Sequence, residues 1–289
     1  MRDFLADMKH AFLIIAHNEP EIFKVLVSLL DHKDCDIFVH IDRKADMNLF
    51  RDVKTQFSEV YFIEDRNEVM WGRYSQIQTE IKLFRTAHSR GIYSYYHLMS
   101  GVDLPIKPIG QIVDWFENNK GYEYLGGKPA EKKYYKRMQR KYFFVTRKRN
   151  VATTLILVMQ KISRVKWNRN TELWMGPNWG SFTDSFVSQI IDNETWIHKH
   201  FKRSFCGDEL YKPTLMRHLK IEKKDRGSLR HIDWKRGTPY TFQKEDLNEL
   251  IQSDKLFARK FSSDHKEIIK SLEDHLRPHN IENQYHIHA

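Results

Sequence analysis

Two runs, HAFLIIA at residues 10–16 and CDIFVHI at 35–41, decide the fold class. The first is apolar without a break from Ala11 to Ala16, and the second is mostly apolar, with Asp36 and His40 as its polar members. Strands buried on both faces of a parallel sheet read this way, whereas a half-exposed strand alternates. Between them Asn18-Glu19-Pro20 opens a helix, with Glu19 and Glu21 in its first turn. Carboxylates there complement the positive end of the helix, and Pro suits the first helical position. Phe23, Leu26, Val27 and Leu30 then fall on one face. Strand, helix and strand in so short a span imply a parallel pair joined by a right-handed crossover.

Working outward, 60–64 reads as a third short strand, 75–90 as a helix striped by Ile77, Ile81, Phe84 and Ala87, 95–99 as a fourth strand and 111–119 as a further helix. Further on, 180–183 reads as a strand. Thr183-Asp184-Ser185 caps a helix running to about His200. Helices follow over 206–218 and 243–252, with a strand at 229–234 between them and an amphipathic helix ending near Leu276. No repeat or linker interrupts the 289 residues, so the expectation is one α/β domain: a mixed, mostly parallel sheet flanked by helices. A chain of this length buries enough surface to fold without disulfides or structural metal. The two cysteines, Cys35 and Cys206, read as buried reduced thiols.

The net charge of +10 is not spread evenly. Residues 128–170 hold 14 Lys and Arg against one acid, Glu131, so this segment carries +13 and the remainder −3. Three readings of it stay open: a nucleic-acid footprint, a patch for anionic lipid or an acidic glycan, and a solvated helical face. Within it, 151–167 (VATTLILVMQKISRVKW) reads as a helix that suits a membrane surface or, equally, the protein's own core; the core reading is preferred. The apolar run 11–16 is too short for a secretory signal, and no stretch reaches the ~20 apolar residues of a membrane span. The expected location is cytoplasmic, with peripheral contact at the inner face of a membrane through 128–170.

There is no GxGxxG, GxxxxGK[ST], HExxH or GxSxG. A dinucleotide fingerprint, a P-loop, a zincin helix and a nucleophile elbow are therefore unsupported. Ligands of open parallel sheets sit beyond the carboxyl ends of the strands. The polar residues there are His17, Asp42 and Asp103. Asp42 reads equally as a ligand to a ribose or uracil edge and as a turn residue, and Asp103 competes with a turn before Pro105. Sheet-type nucleotide-sugar transferases usually place a DxD at an inner strand end, where two carboxylates hold Mg²⁺ or Mn²⁺. Here that end is SGVD, with a single carboxylate, and the literal DxD, Asp34-Cys35-Asp36, lies at the start of a strand.

In order along the chain stand FVHIDRKAD (38–46), WGRYSQIQTEI (71–81), YYHLMSGVDLPIKP (95–108), GPNWGSFTDSFV (176–187), CGDEL (206–210), LRHIDW (229–234) and LFARKF (256–261). Together they resemble the core 2/I-branching N-acetylglucosaminyltransferase family, which includes the peptide O-xylosyltransferases, over residues 10–262 and in the manner of a bacterial member. The resemblance implies a GT-A-like fold, a UDP-sugar donor, and inverting transfer without a divalent metal or other cofactor. It divides the chain into a nucleotide-sugar-binding half (10–125), a basic helical insertion (128–170), an acceptor and catalytic half (171–262) and a C-terminal helix and tail (263–289). It makes Glu209 the catalytic base, with Asp208 as the alternative. Lys260 becomes the cation facing the leaving diphosphate, with Arg236 or Arg259 as a second. Trp71, Tyr74 and Ser75 join His17, Asp42 and Asp103 on the donor side, and Trp179, Gly180 and Asp233 take the acceptor side. Trp115 and Trp196 read as core. The expected partners are a UDP-sugar and a glycan or lipid-linked glycan of a bacterial surface polysaccharide; no nucleic acid is expected. A basic nucleic-acid-binding protein and a non-catalytic glycan-binding relative are the competing readings.

Overall fold

The computed structural model describes residues 9–142, 151–164 and 166–277, apart from the side chains of residues 152 and 153. Its strands are β1 (His10–Ala16), β2 (Cys35–Ile41), β3 (Val60–Phe62), β4 (Tyr95–Ser100), β5 (Asp103–Pro105), β6 (Lys128–Pro129), β7 (Trp174–Met175), β8 (Gly180–Thr183), β9 (Arg230–Ile232) and β10 (Phe257–Arg259). Its helices are α1 (Pro20–Leu29), α2 (Asn48–Arg51), α3 (Tyr74–His88), α4 (Ile109–Asn118), α5 (Lys136–Gln139), α6 (Val151–Ile162), α7 (Asp184–Asp192), α8 (Glu194–Phe201), α9 (Asp208–His218), α10 (Leu247–Gln252) and α11 (Lys266–Leu276).

The central sheet has the order β3-β2-β1-β4-β8, with four parallel strands and β8 antiparallel at the edge. This is the expected mixed, mostly parallel sheet. A second sheet, β5-β10-β9, stands beyond the end of β4. Every residue of β1 and β2 is buried, including the polar His10, Asp36 and His40 among their apolar neighbours. Alternation along β1 sends Phe12, Ile14 and Ala16 into one core with α1, α4 and α11. Ala11, Leu13 and Ile15 enter a second core with α3, α7, α8 and α9. Gly101 closes the end of β4 against β1: a Cβ there would stand 2.5 Å from the Ala16 Cβ.

Three boundaries differ from expectation. The helix expected to run from 183 to about His200 is broken at Asn193, whose side-chain amide donates to the Gln189 carbonyl (2.9 Å) and competes with the helical ladder. The helix expected over 151–167 stops at Ile162, where Arg164 and then Asn168 adopt left-handed backbone. The helix expected over 243–252 begins as a tight turn closed by a Gln243–Asp246 capping box. Trp115 and Trp196 pack partly buried against the two cores, as expected. Cys35 and Cys206 are buried free thiols, and burial pushes Cys206 up to about 12, away from thiolate chemistry.

Candidate active site

Helix α9 starts at Asp208, so Asp208 and Glu209 both lie in its first turn, where the helix dipole favours carboxylates. The chain reaches it through a tight turn: Cys206 has φ 48°, and a Cβ on Gly207 would meet the Ser204 hydroxyl at 2.2 Å. Glu209 Oε2 accepts from Arg137 at 2.6 Å and keeps 37% of its side chain exposed. Asp208 is the inward partner. Its Oδ1 is buried without a hydrogen bond, and burial, Glu80 and Glu209 together push its carboxyl up to about 7.

Behind these acids lies a buried ion pair. Lys212 and Glu80 are both fully buried, 2.7 Å apart. Glu80 also accepts from Tyr211 (2.7 Å) and Gln76 (2.9 Å), and Lys212 also donates to Asn178 Oδ1 (2.9 Å). Both Glu80 oxygens accept hydrogen bonds and the Lys212 ammonium has three acceptors, the Asp208 carbonyl (3.3 Å) being the third, which is the condition for a tolerable buried charge pair.

Pro213 lies inside α9 and has no N–H to offer the Glu209 carbonyl one turn earlier. That carbonyl accepts instead from Gly176 (2.9 Å). Two residues to either side, Thr214 exchanges two hydrogen bonds with the Trp174 backbone (3.1 and 3.0 Å), and Lys212 holds Asn178. Alternate residues 174, 176 and 178 are thus fastened to α9, which fixes the segment that leads into Trp179.

The Trp179 ring lies 5.3 Å from the Arg259 guanidinium. Arg259 pairs with buried Asp103 at 2.6 Å, and Asp103 also accepts from the Ser100 N–H. His17 closes the group: desolvation lowers its pKa, Asp42 opposes this, and Lys44 and Arg259 reinforce it. Trp179, Arg259, Asp103 and His17 thus neighbour one another near the carboxyl ends of β1 and β4, and Glu209 is linked to Trp179 along the chain through Gly176. Lys260, next to Arg259 and partly exposed, has no side-chain hydrogen bond or ion pair among the described residues.

The other expected site residues have structural partners. Asp42 is the turn residue of its two readings: it accepts from the Lys44 and Val69 N–H groups (2.9 and 3.2 Å) and holds the loop before Trp71. Trp71 is 71% exposed, with its edge toward Phe205. Ser75 accepts from Met70 N–H (2.9 Å), whereas Tyr74 points into the core. Gly180 is buried in β8, where a Cβ would strike Phe182 at 2.5 Å, and its carbonyl takes the buried Arg230 guanidinium (2.8 Å). Arg236 bonds Asp233, Asp246 (2.5 Å) and Glu249 (2.7 Å), and Asp233 is held down to about 2 by that guanidinium and by turn N–H groups. Arg236, expected to face a diphosphate, and Asp233, expected to face an acceptor, are thus paired with each other within one turn, whereas Lys260 has no such partner among the described residues.

Sequence reasoning missed Arg137, Glu80, Lys212 and Asn178. Two of them carried a signal. Glu80 sits between Ile77 and Ile81 on an apolar stripe, and Lys212 lies within LYKPTLM; a charge in such a setting needs a buried partner.

A search of curated protein sequences finds no match. Among solved structures, the chain is similar to mouse xyloside xylosyltransferase 1 in its apo form, at 8% identity and a TM-score of 0.42, over 86% of this chain and 96% of that one. The family model described as Core-2/I-Branching enzyme matches residues 10–253. This glycosyltransferase chain belongs to the core-2/I-branching enzyme family.

Proposed function

We propose that this glycosyltransferase is inverting and metal-independent, and that it moves a sugar of the N-acetylglucosamine or xylose class from a UDP-sugar to a hydroxyl of a bacterial surface glycan. The observation that carries the reading is the placement of Glu209: partly exposed, in the first turn of α9, and tied through Gly176 to the segment that leads into Trp179. Glu209 takes the acceptor hydroxyl proton as that oxygen bonds to the anomeric carbon. The bond from that carbon to the diphosphate breaks, and its electron pair leaves with UDP. The transition state is oxocarbenium-like, and general-base help of this kind contributes ~10²–10⁴-fold. Asp208 is the poorer base, because it is pushed toward its protonated form and faces inward. Lys260 supplies fixed positive charge where the diphosphate leaves. The metal-free part of the reading is supported by Asp103, the single carboxylate at its strand end, which is committed to Arg259. Trp179 offers a flat apolar face to a sugar ring.

The test is UDP release from UDP-N-acetylglucosamine and UDP-xylose with candidate oligosaccharide acceptors, in EDTA, with the product anomer read by NMR. The expectation is turnover in EDTA with inversion, and a Glu209→Gln protein that folds, binds UDP and loses ~10²–10⁴-fold in rate. Activity abolished by EDTA and restored by Mn²⁺ would overturn the metal-free reading. Undiminished Glu209→Gln turnover would overturn the base.

A further inference from the structure

Helix α6 runs against the expectation drawn from its sequence. Val151, Leu155, Val158, Met159 and Ile162 are 87%, 61%, 44%, 58% and 70% exposed. At 3.6 residues per turn these five positions fall within roughly a 100° arc, a single apolar stripe facing away from the protein. The opposite side is the attached one: Ile156 and Leu157 are half-buried, and Gln160 both donates to the Lys141 carbonyl (2.9 Å) and accepts from the Lys141 N–H (2.8 Å). The clamp fixes which face looks outward. Scattered exposed apolar residues are ordinary, but a contiguous stripe marks a binding surface.

The charge around the stripe identifies its partner. Lys132, Lys136, Lys161, Arg164, Lys166 and Arg169 are all exposed. Among the described residues of the basic segment the ion pairs are Lys133–Glu131 and Arg137–Glu209, so most of its positive charge is uncompensated. Trp167 lies just past the helix, with the Lys141 ammonium 3.1 Å from its ring centre. An apolar stripe flanked by unpaired cations and a Trp fits the interface of an anionic bilayer, where side chains of the stripe enter the acyl boundary and the cations meet phosphate headgroups. A second protein would need its own apolar face, and a nucleic acid would use the cations and leave the stripe in water. No helix among the described residues is long and apolar enough to cross a membrane, so this contact lies on the surface.

We propose that α6 and its basic flanks dock the protein on anionic lipid. Arg137 belongs to the same segment and pairs with Glu209, so docking brings the bilayer surface to the catalytic neighbourhood. The docking is independent of the reaction assigned above and is tested without it.

The experiment is cosedimentation of the full chain with vesicles of phosphatidylcholine alone and of phosphatidylcholine with phosphatidylglycerol, at low and high salt. It is repeated with Leu155→Asp/Ile162→Asp, two exposed positions, whose thermal midpoint is compared with the parent. Binding is expected to the phosphatidylglycerol vesicles and to fall with salt. At roughly one order of magnitude per apolar side chain removed from the interface, the double variant should bind at least ~10-fold more weakly with its midpoint unchanged. Absence of binding to anionic vesicles overturns the proposal, as does equal binding by the variant. A concentration-dependent dimer that the variant abolishes, or RNA binding that outcompetes the vesicles, overturns it in favour of a second copy or of a nucleic acid.

Discussion

Lys212→Met should be among the most damaging single changes in the protein. The substitution keeps the volume and the unbranched stem but deletes the ammonium from a site with no solvent contact. Glu80 then loses its counter-charge 2.7 Å away, and Asn178 Oδ1 loses its donor. Tyr211 and Gln76 still bond to Glu80, but both are neutral. Breaking a buried pair from one side costs about 3–5 kcal/mol, whereas removing both charges is often close to neutral. At ~2–4 °C per kcal/mol for a chain approaching this size, the midpoint should fall by roughly 6–20 °C. Glu80→Gln in the Lys212→Met background should recover most of that loss, giving a coupling of at least ~2 kcal/mol in the cycle. The assay is calorimetry with urea titration on the four proteins. A Lys212→Met cost below about 1 kcal/mol, or a double variant no more stable than the worse single one, would refute the account of this pair.

Asp208 gives a pH prediction with a fixed sign. Its carboxyl is raised to about 7 in the fold, so the folded state holds a proton the unfolded chain releases. The resulting penalty grows as pH rises from the usual carboxylate range to about 7 and is constant above it. The difference in melting temperature between parent and Asp208→Asn should therefore widen, in favour of the variant, from pH 4 to about 7; a flat difference refutes the assignment. Lys260→Ala should weaken UDP binding by calorimetric titration at least ~10-fold while leaving the midpoint unchanged. Arg236→Ala should do the reverse, because its guanidinium is occupied by Asp233, Asp246 and Glu249. Thr214→Val removes both bonds to the Trp174 backbone and should cost about 1–3 kcal/mol, read by urea unfolding, with a higher KM for acceptor.

The layer order and the parallel pair could be read directly because burial on both faces leaves an unmistakable mark on β1 and β2. The positions at strand ends could be found for the same reason. Their partners could not. Asp103 meets Arg259 across 156 residues of chain, and Glu209 meets Arg137 across 72. Apolar periodicity shows that a position is covered or faces a stripe, never what covers it. For this reason α6 could be read from sequence as a helix while its side was mistaken: an apolar stripe looks the same whether it faces a core or a bilayer. The partners of Arg236 were equally hidden. A cation in a predicted loop looks available until folding brings Asp246 and Glu249 around it.

The short pairing of β6 with β7 has a consequence for how this protein can change. Lys128 sits opposite Met175 and Pro129 opposite Trp174, and the Ala130 N–H to Leu173 carbonyl bond extends the contact. The chain leaves for the basic segment and returns from it at this pairing, and the described residues between are tied to the body again by the Phe205 N–H to Arg137 carbonyl and Tyr142 N–H to Arg203 carbonyl bonds (2.9 and 3.0 Å) and by buried Met138. Lengthening a loop of this kind costs little, about 0.6 kcal/mol for each doubling. A lineage can remodel the outward face of this segment, exchanging one surface for another, without shifting the register of β8 and β10, which Trp179 and Lys260 flank. Arg137 sets a limit to that freedom, since its guanidinium pairs with Glu209 and its carbonyl takes the Phe205 N–H.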